Sequence, residues 1–139
     1  MATFEKKLVA VMNENKETGV ILNALAHMSL GLGASILDKA ELRLTNYKDA
    51  DQGNHANISE MPLVVLKANS NKIRQLRKAA LANNIAFVDY TNTMTEGTYE
   101  DQLKRSAATK EEELEYYGIV LFGDWTLVSE LTKKFSLWK

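Results

Sequence analysis

The stretch PLVVLKANSNKIRQLRKAALANNIAFVDY, Pro62–Tyr90, decides the fold because it predicts a strand, a helix and a second strand in direct succession. Its beginning, Pro62–Ala68, is a short β-branched run whose proline suits the first residue of a strand. Ser70 can cap the helix, and Asn83 with Asn84 can end it before the strand IAFVDY. The helix carries an apolar stripe of Ile73, Leu76, Ala80 and Leu81.

The same patterns continue on both sides of this stretch. Apolar runs predict buried strands at Lys7–Met12 and Tyr117–Gly123. Alternation predicts a half-buried strand at Ala40–Tyr47 and an edge strand at Lys134–Lys139. Further helices are predicted at Gly19–Ala34, Thr98–Ala107 and Asp124–Lys133. Strands that alternate with helices, with no linker between them, predict a single α/β domain over residues 1–139.

Composition narrows the function classes. The net charge of −1 gives no overall field that would attract nucleic acid or an anionic membrane. The absence of cysteine excludes disulfides, thiolate catalysis and cysteine-ligated metals. No apolar run reaches the roughly 18 residues that a membrane span needs. We therefore expect a soluble, cytoplasmic protein with no membrane partner.

Three stretches resemble a known family: AHMSLG, PLVVLKANSNKIRQLRKAALANNIAFV and GIVLFGDWTLVSELTKKFSLW. Together they are similar to the type II peptidyl-tRNA hydrolase fold, and most closely to small bacterial proteins of that fold grouped as a domain of unknown function. The resemblance implies a three-layer sandwich with a mixed sheet of four or five strands. It also implies a homodimer.

The same resemblance implies that the hydrolase reaction is weakened or lost. With His27 as the anchor, the family's active-site lysine falls on Val20 and its glutamine on Ala24. Neither side chain can donate a hydrogen bond, and such donors typically contribute a few kcal/mol each to catalysis. The family's aspartate after the strand corresponds to Asp89.

The first predicted helix, GVILNALAHMSLGLGA, is apolar nearly all round and should lie in the interior. Asn23, His27 and Gly31 are spaced by four and share one face. Imidazole suits acid–base work or metal binding. The favoured alternative is a packed polar residue in the core that hydrogen-bonds a carbonyl or Asn23.

A polar segment, KDADQGNHANISEM, offers Asp51 and His55 as ligand-binding candidates. Its spacing departs from a calcium loop because Gly53 and Asn54 occupy positions five and six. A polar hairpin is the alternative interpretation. His27 and His55 with Asp51 or Asp89 could hold zinc or iron, but no ligand spacing supports this, and we predict neither metal nor cofactor.

A third candidate segment, DYTNTMTEGTYE, follows a predicted strand where open α/β sheets present ligand-binding loops. It offers Asp89, Thr91 and Thr93; a turn that satisfies its own backbone is the alternative. The basic face of the preceding helix could contact phosphates, but it also has the composition of a solvated face. Its members are Lys72, Arg74, Arg77 and Lys78.

Two functions follow. The first is a non-enzymatic domain that binds a small polar ligand or a partner's chain in a pocket formed by Asn23, His27, Asp51, His55, Thr91 and Thr93. The second is a divergent hydrolase of an ester or amide with His27 or Asp89 as the base. Transfer RNA would be a less favoured partner. Two observations support the homodimer: the C-terminal strand is expected to be an open edge that a partner covers, and the C-terminal region is rich in bulky residues, namely Trp125, Phe135, Leu137 and Trp138.

Overall fold

The computed structural model describes residues 4–139. Its seven strands are β1 (Lys6–Asn13), β2 (Leu44–Lys48), β3 (Asn54–Ser59), β4 (Leu63–Ala68), β5 (Ala86–Thr91), β6 (Tyr116–Asp124) and β7 (Ser136–Leu137). Its four α-helices are α1 (Thr18–Ser35), α2 (Ser70–Ala82), α3 (Tyr99–Ala108) and α4 (Trp125–Thr132). The predicted mixture of strands and helices is confirmed. In the part of the chain described, no helix is long and apolar enough to cross a membrane.

The main sheet has five strands in the order β5-β6-β1-β4-β7. Strand β1 pairs in parallel with β4 and antiparallel with β6, so Val9 lies between Val64 and Leu121. The other pairings in this sheet are antiparallel. The sheet is therefore mixed and five-stranded, as predicted, and β5 and β7 are its two edges.

Helices cover both faces of the sheet. Successive side chains of the central strand point to opposite faces, and those of β1 are apolar on both, so each face needs a cover. Val9 and Val11 of β1 point to the side of α2 and α4, where they pack with Ile73 and Val128. Ala10 and Met12 point to the other side and pack with residues of α1, including Met28. The two apolar clusters form the core, one on each face.

Helix α1 differs from the prediction that it lies wholly in the interior. Only one face is buried, through Ile21, Ala24, Met28 and Leu32. Leu22 and Leu30 are 59% and 76% exposed. Since only one side of the helix meets the sheet, its remaining apolar residues face outward. Gly31 and Gly33 lie within the helix, which continues to Ser35, and neither is tightly packed, because a Cβ at either would meet nothing within 4 Å.

The segment after α1 also differs from its prediction. In place of a half-buried strand over Ala40–Tyr47, a 3-10 turn at Lys39–Leu42 precedes β2. Strand β2 pairs with β3 in a separate two-stranded sheet, and Leu44 is 45% exposed. The polar hairpin interpretation of the following segment is confirmed. The C-terminal strand is shorter than predicted and comprises only Ser136–Leu137.

Candidate functional site

The first candidate site is a cavity of about 410 Å³ beside α1, here called the His27 pocket. Its lining residues are Asn23, His27, Met28, Val88, Asp89, Tyr90, Met94, Thr95 and Gln102. Helix α1, strand β5, the 3-10 turn at Asn92–Met94 and helix α3 each contribute to it. The lining combines several hydrogen-bonding side chains with the apolar Met28, Val88 and Met94, so it offers both kinds of contact that small-ligand sites use.

His27 is not the packed core residue that the sequence favoured. Its side chain is exposed, because Met28 and not His27 faces the sheet. The imidazole ring lies 6.1 Å from the Tyr90 ring, measured between centroids, with the planes tilted by 40°. Asn23, one turn earlier, lines the same pocket, as the spacing of four predicts. His27 and Asn23 therefore present hydrogen-bonding groups to one cavity.

Tyr90 fixes the apolar floor of the pocket. It is 9% exposed, and its hydroxyl donates a hydrogen bond of 3.0 Å to the carbonyl of Met94. Burial raises the pKa of Tyr90, so the phenol stays protonated and remains a donor. This bond holds the turn after β5 against the strand and thereby sets the position of Met94 in the lining.

Thr91 and Thr93 do not line the pocket with His27 as the sequence predicted, and Asp89 lines it without directing its carboxylate at the imidazole. Side chains alternate along β5, so Val88 and Tyr90 pack toward α1 while Asp89 lies on the side of α2. Arg77 Nε donates a hydrogen bond of 2.8 Å to Asp89 Oδ2. The Asp89 carboxylate is thus directed away from the imidazole.

The threonines lie on the α2 side and bond to their neighbours. Thr91 and Thr93 are 2% and 1% exposed, and their hydroxyls are 2.8 Å apart. Ser106 Oγ donates to Thr93 Oγ1 at 2.7 Å. These hydroxyls tie the end of β5 to α3, so they serve the structure through side-chain bonds and not, as the alternative had it, by satisfying the turn's own backbone.

The second cavity, of about 300 Å³, is here called the Arg77 groove. It is lined by Arg77, Asp89, Thr91, Thr93, Met94, Ser106, Thr109, Glu111, Leu114 and Tyr116. Tyr116 donates to Glu111 Oε2 at 2.7 Å, and Arg74 Nε donates to the same oxygen at 3.1 Å. The bond from Tyr116 lowers the pKa of Glu111, and burial raises the pKa of Tyr116. Charges in this groove are therefore largely paired within the protein.

Asp51 and His55 lie in the β2–β3 hairpin and do not line the His27 pocket. Asp49 organises this hairpin: its Oδ1 accepts 2.9 Å bonds from the backbone N–H groups of Asp51 and Gly53. His55 Nε2 lies 2.8 Å from Asp49 Oδ2. The carboxylate that a calcium loop would use thus serves the turn instead. Across residues 4–139, no three metal-ligating side chains come together.

Half of the predicted basic face is paired. Arg74 bonds Glu111 and Arg77 bonds Asp89, whereas Lys72 and Lys78 are exposed. On α1, the two positions that correspond to the family's active-site lysine and glutamine differ in burial. Val20 is 40% exposed, and Ala24 is fully buried in the core. A solvated face describes α2 better than a phosphate-binding face, because Glu111 and Asp89, which lie outside the helix, already pair with its two arginines.

The sequence did not indicate Met94, Thr95 and Gln102 in the His27 pocket, or Ser106 and Tyr116 in the groove. The signal for Gln102 was indirect: the capping box of Thr98 and Asp101 marks the start of α3 but not the face that it presents. The other residues could be assigned to a cavity only once the structure showed which face of β5 meets α1 and which meets α2.

Comparison with known proteins gives a family and a fold. A family model described as a protein of unknown function (DUF2000) matches residues 6–139. A solved structure of a protein of unknown function, Atu0240 from Agrobacterium tumefaciens, is similar with a TM-score of 0.84 and 20% sequence identity. That similarity covers 99% of this chain and 100% of the other. None of the curated proteins matches. Since the family match extends over most of its length, the chain belongs to the DUF2000 family.

Proposed function

We propose that this protein binds a small polar group, carried by a metabolite or by a partner's chain, in the His27 pocket without transforming it. The observation that carries the proposal is the shared rim of Asn23 and His27 above the apolar floor of Tyr90 and Met94. The rim supplies hydrogen bonds that orient a polar group, and the floor supplies apolar contact.

The chemistry of the rim supports binding more than catalysis. Asn23, Thr95 and Gln102 are neutral donors and acceptors, and His27 is the ionisable group that joins them on the rim. Asp89, the other candidate base, holds its carboxylate against Arg77 on the α2 side. Val20 and Ala24 stand where the resembling hydrolases have donors. We therefore rank the divergent hydrolase second.

The binding proposal is tested by isothermal titration with amino acids, blocked dipeptides, nucleosides and monosaccharides. For whichever compound binds, Asn23→Ala and His27→Ala should each weaken binding by about tenfold, as expected for one lost hydrogen bond. Ser29→Ala, an exposed change on α1 outside the lining, is the matched control. Binding that the two pocket variants leave unchanged would contradict the proposal.

The hydrolase alternative has its own outcome. Turnover of a blocked aminoacyl ester or of N-acetyl-aminoacyl-tRNA, lost on His27→Ala, would replace the binding proposal with catalysis. Binding of tRNA would also have to weaken as salt increases, since contacts with phosphates release counterions.

The proposed architecture is that of the type II peptidyl-tRNA hydrolases. Support comes from the parallel pair β1–β4 within a mixed sheet and from the histidine on the first helix.

A homodimer is part of the same proposal. Of the C-terminal residues, Phe135 and Trp138 pack on the core, whereas Leu137 is 55% exposed at the sheet edge. Helix α1 offers a second apolar surface because it contains no charged residue.

A further inference from the structure

Residues 93–114 leave the main sheet and return to it at the same point. Strand β5 ends at Thr91 and β6 begins at Tyr116, and these two residues are paired in the sheet. Next to them, the backbone N–H of Asn92 donates to the carbonyl of Glu115 at 2.9 Å, and the N–H of Glu115 donates to Asn92 Oδ1 at 3.0 Å. The base of this excursion is therefore fixed, and helix α3 lies within the excursion.

Helix α3 turns polar side chains toward the protein and apolar side chains outward. Gln102 and Ser106, with Thr109 just after the helix, are spaced by four and three and line the two cavities. Tyr99 and Leu103, also spaced by four, are 70% and 52% exposed. No residue of α3 is buried, and none belongs to either apolar cluster of the core. Burial of apolar surface therefore contributes little to holding α3 in place.

Polar contacts to the chain just before the helix hold α3 instead. Ser106 Oγ donates to Thr93 Oγ1 at 2.7 Å, and Arg105 Nη2 donates to the Thr93 carbonyl at 3.3 Å. The same nitrogen also donates to the carbonyl of Glu96. These three hydrogen bonds are here called the Thr93 latch. Water can replace each of them when the helix moves, so each favours the closed position by only about fivefold.

The chain on either side of α3 can act as a hinge. Gly97, two residues before the helix, has a φ of +82°, and glycine changes its backbone conformation at little steric cost. Thr109 and Lys110, after the helix, are extended. Beyond these two points the chain is anchored by hydrogen bonds to the Met94 carbonyl on one side and to the Glu111 carboxylate on the other. Movement is therefore confined to α3 and its two short connections.

We propose that α3 is a lid over the His27 pocket and the Arg77 groove, which opens about Gly97 and Thr109 on the microsecond-to-millisecond timescale and is held shut by the Thr93 latch. The inference goes beyond the proposed function, because it concerns a movement of the chain and holds for any ligand. Opening removes the wall that Gln102 gives the pocket and the wall that Ser106 gives the groove. Elements with few buried apolar contacts are the ones that open locally in a folded protein.

The first test uses the reactivity of a single thiol. Thr93 is 1% exposed and bonds to α3, so Thr93→Cys reports opening of the lid and leaves the bonds of Arg105 to backbone carbonyls in place. Because the chain has no cysteine, Val128→Cys gives a matched thiol in the core that reports unfolding of the whole domain. With iodoacetamide, and relative to the same variants in urea, Thr93→Cys should react at least about tenfold faster than Val128→Cys.

The same thiol tests the latch. Arg105→Ala, added to Thr93→Cys, should speed the reaction at least about fivefold, because it removes two of the three latch bonds. Lys104→Ala, at an exposed neighbouring position on α3, is the matched control and should leave the rate unchanged.

A disulfide should lock the lid. The hydroxyls of Thr93 and Ser106 are 2.7 Å apart, so Thr93→Cys combined with Ser106→Cys brings two thiols within reach of each other. The methyl group of Met94, which lines both cavities, should show relaxation dispersion in the wild-type chain and in the reduced double variant, and should lose it on oxidation. The methyl group of Met12, fully buried in the core, should show none in either form.

The lid is refuted if Thr93→Cys reacts no faster than Val128→Cys, because α3 then opens only when the whole domain unfolds. It is equally refuted if Arg105→Ala leaves the reaction rate unchanged, because the latch then does not hold the helix. Exchange at Met94 that is absent before oxidation, or that persists after it, would also contradict the lid. None of these measurements uses a ligand, so their outcome is separate from that of the binding proposal.

Discussion

The imidazole of His27 lies 6.1 Å from the ring of Tyr90, and the Tyr90 ring lies the same distance from that of Tyr117. Lys16 Nζ is 5.0 Å from the centroid of the Tyr117 ring. A row of three rings thus runs along the α1 side of the sheet, from a pocket at one end to a cation–π contact at the other. Helix α1 and strands β5 and β6 are joined along this row.

Replacement of Tyr90 by phenylalanine should reduce stability by about 1 kcal/mol, because it removes the hydrogen bond to the Met94 carbonyl and leaves that acceptor without its partner. The measurement is urea unfolding at neutral pH. Tyr117→Phe is the control, because the Tyr117 hydroxyl makes no hydrogen bond within residues 4–139. Equal losses in both variants would show that the Tyr90 hydroxyl does not hold the turn.

The β2–β3 hairpin should loosen in acid. Hydrogen bonds from His55 and from the backbone N–H groups of Gly53 and Asp51 lower the pKa of Asp49 below its ordinary 3.8. A depressed folded pKa contributes stability that is present above the unfolded value and lost as pH falls through the folded one. The amides of Asp51 and Gly53 should therefore lose protection from hydrogen exchange, relative to the intrinsic rate at each pH, as the pH falls below about 3.8. In Asp49→Asn this acid-dependent change should vanish; its persistence would assign it to another group.

Gly33→Ala should stabilise the protein by roughly 0.5–1 kcal/mol, since glycine is unfavourable inside a helix. The new Cβ would meet open space. Gly97→Ala provides the opposite case: its φ of +82° is costly for any L side chain, so stability should fall by about 1–2 kcal/mol. Thermal unfolding measures both. A destabilised Gly33→Ala would mean that a further surface packs on α1.

The homodimer should be visible as a doubled mass in sedimentation equilibrium at micromolar concentration. Leu30→Lys places a charge on the exposed face of α1, and Leu137→Lys places one on the C-terminal edge; both residues are more than half exposed, so the fold should persist. The variant that dissociates the dimer identifies its interface. A monomeric wild-type chain would refute the dimer.

Much of the fold could be predicted because its strands and helices carry strong local signals. Strands β1, β4, β5 and β6 are apolar runs, and the stripe of α2 has helical spacing. The bounds of strand β3 could not be predicted within the polar hairpin, because its residues are mostly polar and exposed and its pairing depends on a turn built by Asp49. The sequence of helix α1 does not indicate which face is buried, because apolar residues occur all around the helix and no charged residue marks the solvent side.

The candidate site was only partly predictable, for a physical reason. Alternation along β5 implies that Asp89 and Tyr90 point to opposite faces, but only the sheet order shows which face meets α1. His27 therefore lies with Tyr90, and Asp89 lies with Arg77. Asp51 and His55 belong to a hairpin whose position no sequence pattern indicated.

Binding in the His27 pocket is tested most directly by the NMR response of the chain's two histidines to the small-ligand panel. The variants His27→Gln and His55→Gln assign the two imidazole signals. A bound compound should shift the signal of His27 and the ring protons of Tyr90, while the signal of His55, held by Asp49, stays in place. If a compound binds and moves His55 alone, or moves neither histidine, the His27 pocket is not the binding site.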